Sequence, residues 1–257
     1  MRTALITGGA QGLGAAIARK FLGDGFAGVL LVDRNEIKLE AIQKELGKKA
    51  ETYCGDLREF GTPVAAVSKA MKRFGRLDVV VNAAGNTERC GIEDTTPEAY
   101  ERLFDVNVKA PLFMMQAAAK HMVAAKSGVI INVASMLAHG GPPNLATYSA
   151  SKSALMTLSR NAANTFKRDG VRVFCINLGW TLTDGEHELQ TGFHKMPQDW
   201  ADKIGARMPF GRLITADDVA GLCAFLVSPP AQMMTGAVID YEQMPVGTFD
   251  DHPALGP

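Results

Sequence analysis

The sequence predicts an α/β fold, a parallel sheet covered by helices on both faces and folded as a single domain over residues 1–257. Three observations predict it. The 257 residues suit one domain of this class. Short apolar runs alternate with longer amphipathic stretches along almost the whole chain, the rhythm of strand, crossover helix, strand. Most of the short runs are continuously aliphatic or β-branched rather than alternating, as strands are when both sheet faces are buried.

In chain order, the first strand is expected at residues 3–7 (TALIT), followed by a glycine turn and a helix over 13–22. A second strand at 28–32 (GVLLV) leads into a helix over 36–46, and a third at 50–54 into a helix over 63–74. A fourth strand at 78–82 (DVVVN) precedes one long helix over 97–125, and a fifth at 128–133 (GVIINV) a helix over 147–168. A sixth strand at 171–177 (VRVFCIN), a helix over 216–226 and a last strand at 237–240 complete the set. Right-handed crossovers leave few ways to connect them. From 179 to 212 no strand pattern is visible, and that stretch, rich in His, Trp, Met and charge, reads as a lid or substrate loop. The tail over 242–257 reads as irregular.

Composition removes several function classes. Lys+Arg and Asp+Glu balance at 27 each, which gives no basic footprint for nucleic acid and no polybasic membrane patch. No run reaches the ~20 apolar residues of a membrane span. The opening MRTALITGGAQGLG breaks into glycines too early for a signal peptide, so a cytoplasmic protein is expected. Cys54, Cys90, Cys175 and Cys223 are far apart and form no CxxC pair; small buried thiols in a reducing compartment are expected.

Between the first strand and helix lies Thr7-Gly8-Gly9-Ala10-Gln11-Gly12-Leu13-Gly14. Glycines there let backbone N–H groups approach a pyrophosphate, and the helix N-terminus adds partial positive charge. The strand–turn–helix setting is what gives the motif its weight. Asp33 follows the second strand, where a carboxylate accepts hydrogen bonds from ribose hydroxyls and repels a 2′-phosphate. With neutral Gln11 in the turn, Asp33 points to NAD; Arg34 is the residue that would favour NADP if it met that phosphate.

Tyr148 and Lys152 are i and i+4 and share a helix face. A nearby ammonium favours the phenolate, so the pair is expected to lower the tyrosine pKa and make it a general acid/base. Ser135, just past the fifth strand, can donate to a substrate oxygen. Asn107 lies inside a helical pattern where asparagine has poor propensity, either as an exposed neutral residue or as a device that interrupts the ladder.

Together these residues resemble the short-chain dehydrogenase/reductase (SDR) family in its shorter single-domain form, from about Thr3 to Asp240. Thr7–Gly14 matches the family's TGxxxGxG, Asp56-Leu57 the pair against the adenine, Asn82-Ala83-Ala84-Gly85 its NNAG, and Ser135 with Tyr148 and Lys152 its serine and YxxxK. The resemblance implies a doubly wound (Rossmann) seven-stranded parallel sheet. It also implies that Tyr148 exchanges a proton with the substrate oxygen, Ser135 polarises that oxygen, Lys152 holds the nicotinamide ribose and tunes Tyr148, and Asn107 anchors a relay water. Cofactor positions carried over are Gly8, Gln11, Gly12, Leu13, Gly14, Asp33, Arg34, Asp56, Leu57, Asn82, Ala83, Gly85, Tyr148, Lys152, Gly179, Thr181 and Thr183. Two departures stand out. Ala83 replaces an asparagine, and Leu178 replaces the proline after the sixth strand, which should leave that turn less rigid.

For the substrate the candidates are Asn86, Ser135, His139, Trp180, His187 and Arg207, a set suited to a sugar, sugar acid or polyol. His187 and His194 lack a third placed ligand, so no metal is expected. Met114, Met115 and Met122 read as core. Small residues Ala154, Leu155, Leu158 and Ala162 exceed what one helix face needs, and the family analogy implies a homotetramer. The expected activity is NAD-dependent hydride transfer between a secondary alcohol and a carbonyl. The alternatives are an NADP-dependent 3-oxoacyl-type reductase and a non-catalytic NAD-binding regulator.

Overall fold

The computed structural model describes residues 2–246. Seven strands form one sheet: β1 (Thr3–Thr7), β2 (Gly28–Asp33), β3 (Ala50–Cys54), β4 (Val79–Asn82), β5 (Gly128–Val133), β6 (Val171–Leu178) and β9 (Val238–Tyr241). All neighbouring strands run parallel, in the order β3-β2-β1-β4-β5-β6-β9. The doubly wound architecture expected from the sequence is therefore present. The order reverses at β1, whose Thr7 pairs with Val32 on one side and Asn82 on the other. Connections leave in opposite directions there, which opens a crevice beyond the carboxyl ends of the strands.

Successive residues of each strand enter two different cores, which is why the strands read as continuous apolar runs. Ala4, Ile6, Val29, Leu31, Val79, Val81 and Phe174 pack on the face covered by α1 (Gly12–Gly23), α2 (Glu36–Leu46) and α9 (Ala216–Leu226). Leu5, Leu30, Val80, Ile130 and Val173 pack on the other face, with Met114, Met115 and Met122. That second face is covered by α3 (Gly61–Phe74), α5 (Ala110–Ala124) and α6 (Ala146–Phe166). Of the small residues on α6, Leu155 is buried and Leu158 and Ala162 pack on this core. Cys90, Cys175 and Cys223 are buried as expected, whereas Cys54 is exposed at the end of β3.

Two expectations are corrected. The single helix over 97–125 is two helices, α4 (Pro97–Phe104) and α5, joined by a wider π-helical turn over Asp105–Lys109. Periodicity cannot register one extra residue in a turn. The stretch over 179–212 contains strand β7 (Thr181–Leu182), paired with β8 (Ile214–Thr215), and the short helices α7 (Asp184–Glu188) and α8 (Trp200–Gly205). Two-residue strands are too short to carry a pattern. After β6 the Gly179 N–H donates to Tyr241 O at 3.0 Å, and Leu178 is buried. Of the tail, 242–246 holds no helix or strand, and 247–257 lies outside the described residues. No described helix is long and apolar enough to cross a membrane.

A buried polar chain crosses the second core. Asn82 Nδ2 donates to Asn132 Oδ1 at 2.8 Å, Asn132 Nδ2 donates to Ser159 Oγ at 2.9 Å, and Ser159 Oγ donates to Leu155 O at 2.7 Å. It ties β4 and β5 to α6. Asn132→Ala removes the middle link and leaves the Asn82 amide unpaired, so it should destabilise the fold by about 1–3 kcal/mol. The midpoint of urea denaturation reads this; an unmoved midpoint would mean the chain is energetically idle.

Candidate active site

A cleft of ≈ 1150 Å³ runs along the carboxyl ends of the strands, above the ~300–1,000 Å³ of ordinary ligand pockets. At one end β1 turns into α1. Gly8 and Gly12 have φ of +66° and +51°, and a Cβ on Gly14 would sit 2.2 Å from Gly8 O. The backbone is folded so tightly there that only glycine fits. Gln11, the residue before α1, makes no side-chain cap, so the first-turn N–H groups are left for a ligand. Gly8, Gln11, Gly12, Leu13 and Gly14 all line the cleft. The donor set and the close-packed turn fit a dinucleotide pyrophosphate.

Asp33 and Arg34, at the end of β2, line the same cleft. Asp33 Oδ2 accepts from Ala10 N at 3.3 Å and Oδ1 from Asn35 N at 3.1 Å, which fixes the carboxylate beside the turn. Asp56 and Leu57 line it too; Asp56 is gripped by Arg58 (Nη2 to Oδ2, 2.6 Å), which holds its carboxyl below the usual range. Ala83 and Gly85 form the opposite wall, and a Cβ on Gly8 would lie 3.0 Å from Ala84 N. Asn82 corrects the expectation: its side chain is buried and spent on Asn132, away from the cleft. Gly179, Thr181 and Thr183 line the cleft after β6, and Thr183 also caps α7 by accepting from Glu186 N at 3.2 Å.

The catalytic candidates converge. Ser135 caps a 3₁₀ turn, accepting from Leu137 N at 3.2 Å, and lies close enough to the Tyr148 hydroxyl to pull its pKa down. Lys152 is buried, with Nζ donating to Val133 O at 2.9 Å and lying 5.7 Å from the Tyr148 ring centroid. Burial pulls the Lys152 ammonium down to about 8. Burial also pushes the Tyr148 hydroxyl above its ordinary value, opposed by Ser135 and assisted by the Glu186 charge. The expected lowering by Lys152 is not found: desolvation sets the direction, and Ser135 is the group that opposes it.

Asn107 lies in the π-helical turn, 1% exposed. Its Oδ1 accepts from Asn86 N at 2.8 Å, and its Nδ2 donates to Asn86 O at 2.8 Å and Ser151 Oγ at 2.9 Å. Ser151 Oγ in turn donates to Tyr148 O at 2.7 Å. Asn107 is therefore an interrupting polar device rather than an exposed neutral residue, and it bolts the loop at Asn86 to the helix that carries Tyr148. A Cβ on Gly85 would lie 3.5 Å from Lys152 Nζ and 3.7 Å from Asn107 Oδ1, so the three positions meet.

Among the substrate candidates, Asn86 and Trp180 line the cleft, as does Ser135. His139 does not: it faces β9, with Nε2 3.1 Å from Asp240 Oδ1 and 3.1 Å from Asn177 Nδ2. The 3₁₀ turn that begins at Ser135 has carried it round to the sheet side. His187 lies behind the lid, accepting from Trp200 Nε1 at 3.2 Å on Nδ1, with Nε2 3.1 Å from Gln198 Oε1. Arg207 follows α8, exposed and outside the cleft. Among the described residues no three His, Cys, Asp or Glu side chains converge as metal ligands. Sequence reasoning missed Leu137, Glu186, Gln190 and His194, which do line the cleft. The i, i+4 spacing of Glu186 and Gln190 was a usable signal once that stretch is known to be helical.

Comparisons with known proteins agree with this geometry. The model of the short chain dehydrogenase family matches residues 2–192. The sorbitol dehydrogenase of Cereibacter sphaeroides is 35% identical over 237 residues, 90% of this chain and 91% of that protein. The galactitol 2-dehydrogenase of Agrobacterium fabrum (strain C58) is 34% identical over 234 residues, 88% of this chain and 90% of that protein. The 3-ketoacyl-(acyl-carrier-protein) reductase of Brucella melitensis, solved with NADH, superposes with a TM-score of 0.83 at 30% identity, over 94% of this chain and 97% of that one. With a family match across most of its length and a cleft shaped for a nicotinamide dinucleotide, the chain belongs to the short-chain dehydrogenase family of oxidoreductases acting on CH–OH groups.

Proposed function

We propose that this protein is an NAD-dependent dehydrogenase that interconverts a secondary alcohol and a carbonyl on a sugar, sugar acid or polyol. The observation that carries the reading is the meeting of Ser135, Tyr148 and Lys152 in one cleft with Asp33 at its far end. The nicotinamide supplies the hydride acceptor and donor. In the oxidising direction, Tyr148 Oη takes the proton of the substrate hydroxyl while Ser135 Oγ donates to the same oxygen as charge develops on it. Lys152, anchored through Val133 O, places its ammonium beside the Tyr148 ring and stabilises the phenolate once it forms. Gly85 leaves room for that ammonium to reach a ribose hydroxyl.

Asp33 supports NAD over NADP. Its carboxylate is fixed by two backbone N–H groups and has lone pairs left for ribose hydroxyls, and it repels a 2′-phosphate. The sorbitol and galactitol relatives support a polyhydroxylated substrate. The ketoacyl reductase likeness is the observation for the alternative, an NADP-dependent 3-oxoacyl-type reductase, although that relative was solved with NADH. A regulator without activity would have no use for the complete Ser135–Tyr148–Lys152 set. A cytoplasmic homotetramer accompanies this reading, supported by exposed apolar Phe60, Val64 and Leu112 beside and on α3 and α5.

Tyr148→Phe should lower alcohol oxidation by roughly 10²–10⁴-fold while nucleotide binding persists. A steady-state assay at 340 nm with a nucleotide titration reads both; retained turnover would remove Tyr148 as the acid/base. Asp33→Ser should move the NAD⁺/NADP⁺ ratio of kcat/KM at least about tenfold toward NADP⁺, one unit of charge contact being worth that much. An unchanged ratio would pass the discriminating role to Arg34.

The pH dependence has a fixed sign. Burial keeps Tyr148 protonated at neutral pH, so oxidation, which needs the base form, should rise with pH through the neutral range to about 8, above which Lys152 loses the charge that stabilises that form. Reduction, which needs the protonated form, should be level there. Parallel profiles in the two directions would contradict the assignment. For stability, Lys152 at about 8 in the folded protein titrates below its unfolded value, so its burial penalty is fully present below pH 8 and is relieved between about pH 8 and 10.5.

A further inference from the structure

Both tryptophans of the chain lie in the lid. Trp200 is fully buried, and Trp180 stacks on it with ring centroids 5.6 Å apart. Trp180 Nε1 donates to Glu186 Oε1 at 2.8 Å, and Gln190 Nε2 donates to the same oxygen at 2.8 Å. Two donors on two elements thus pin one oxygen of this carboxylate, while Oε2 enters no hydrogen bond among the described residues. Glu186, Trp180 and Gln190 line the same cleft as Ser135 and Tyr148. The Glu186 charge is near enough to Tyr148 to raise its pKa. A carboxylate held rigid in a half-closed cleft is a strong acceptor for an O–H group and a repellent for an anion.

We infer that Glu186 is the specificity-determining residue of this site: Oε2 accepts a hydrogen bond from a hydroxyl on the carbon next to the one oxidised. The enzyme then favours neutral vicinal diols and longer polyols over mono-alcohols and over sugar acids. This rests on the dehydrogenase reading and narrows it. A substrate lacking the second hydroxyl leaves Oε2 without that donor, and a site built to hydrogen-bond a substrate hydroxyl rejects the analogue that lacks it.

The test compares 2,3-butanediol, xylitol, xylonate and 2-butanol as substrates of the full chain, with NAD⁺ and with NADP⁺. The unaltered enzyme should prefer the diol to 2-butanol and xylitol to xylonate. Glu186→Gln should lower kcat/KM for diol and xylitol relative to 2-butanol by on the order of 10- to 100-fold, the worth of a hydrogen bond to a charged group, while loss of the charge that raises the Tyr148 pKa acts on every substrate alike and cancels in that ratio. Gln190→Leu, which unpins Oε1 but keeps the charge, should give a smaller loss with the same selectivity and covers the case in which Glu186→Gln does not fold. Tryptophan emission gives a second readout. In the Tyr148→Phe protein with NAD⁺, xylitol should shift it saturably, and adding Glu186→Gln should weaken that saturation. Equal losses on diol and mono-alcohol, or no loss on either, would overturn the inference while leaving the dehydrogenase reading intact. Failure of the unaltered enzyme to oxidise any of the four with either nucleotide would overturn both.

Discussion

The catalytic end of the molecule depends on one constraint: α6 is held against the sheet by hydrogen bonds in a place from which water is excluded. Val133 O fixes the Lys152 ammonium, Asn107 reaches Ser151, and the Asn82–Asn132–Ser159 chain grips the helix about two turns further along. Each bond is made where an unpaired polar group would cost more than the bond gains, so the helix has one acceptable rotation and one acceptable height. Tyr148 rides on that helix. Its distance from Ser135 is set by the register of β5 with α6, not by its own side chain.

The π-helical turn belongs to the same constraint. A regular helix through Asp105–Lys109 would carry Asn107 round the axis; the extra residue keeps it facing Ser151 and the Asn86 backbone. Such turns cost some helix geometry and occur where a particular side chain must be aimed. Here the return is three hydrogen bonds that join the loop after β4 to the helix of Tyr148.

The strands were legible because burial on both faces forces a continuous apolar run, and most of the seven show as such runs between amphipathic segments. The glycine turn was legible because close backbone approach admits one residue type. Asn107 was visible only as a poor helix former, and its aim could not be read from a period of 3.6. His139 and His187 were placed near the substrate because they are polar and lie near a catalytic residue or in the lid. The structure turns one toward Asp240 and the other toward Trp200, contacts set by tertiary packing that no local spacing records. The Asn82 side chain is hard to read for the converse reason: its partner Asn132 lies on the neighbouring strand, in register, fifty residues away.

Asp33 has a second attachment that bears on how this protein could change. Its Oδ2 receives the Ala10 N–H from inside the glycine turn, so on the proposed NAD reading the carboxylate that meets the ribose also braces the glycine loop. Nucleotide preference and loop shape therefore share an atom. A lineage exchanging one dinucleotide for the other through this position would loosen its grip on both until a second substitution re-tied the loop. The path between the two preferences runs through a poorer enzyme, and the order in which the two changes arrive decides whether it can be travelled.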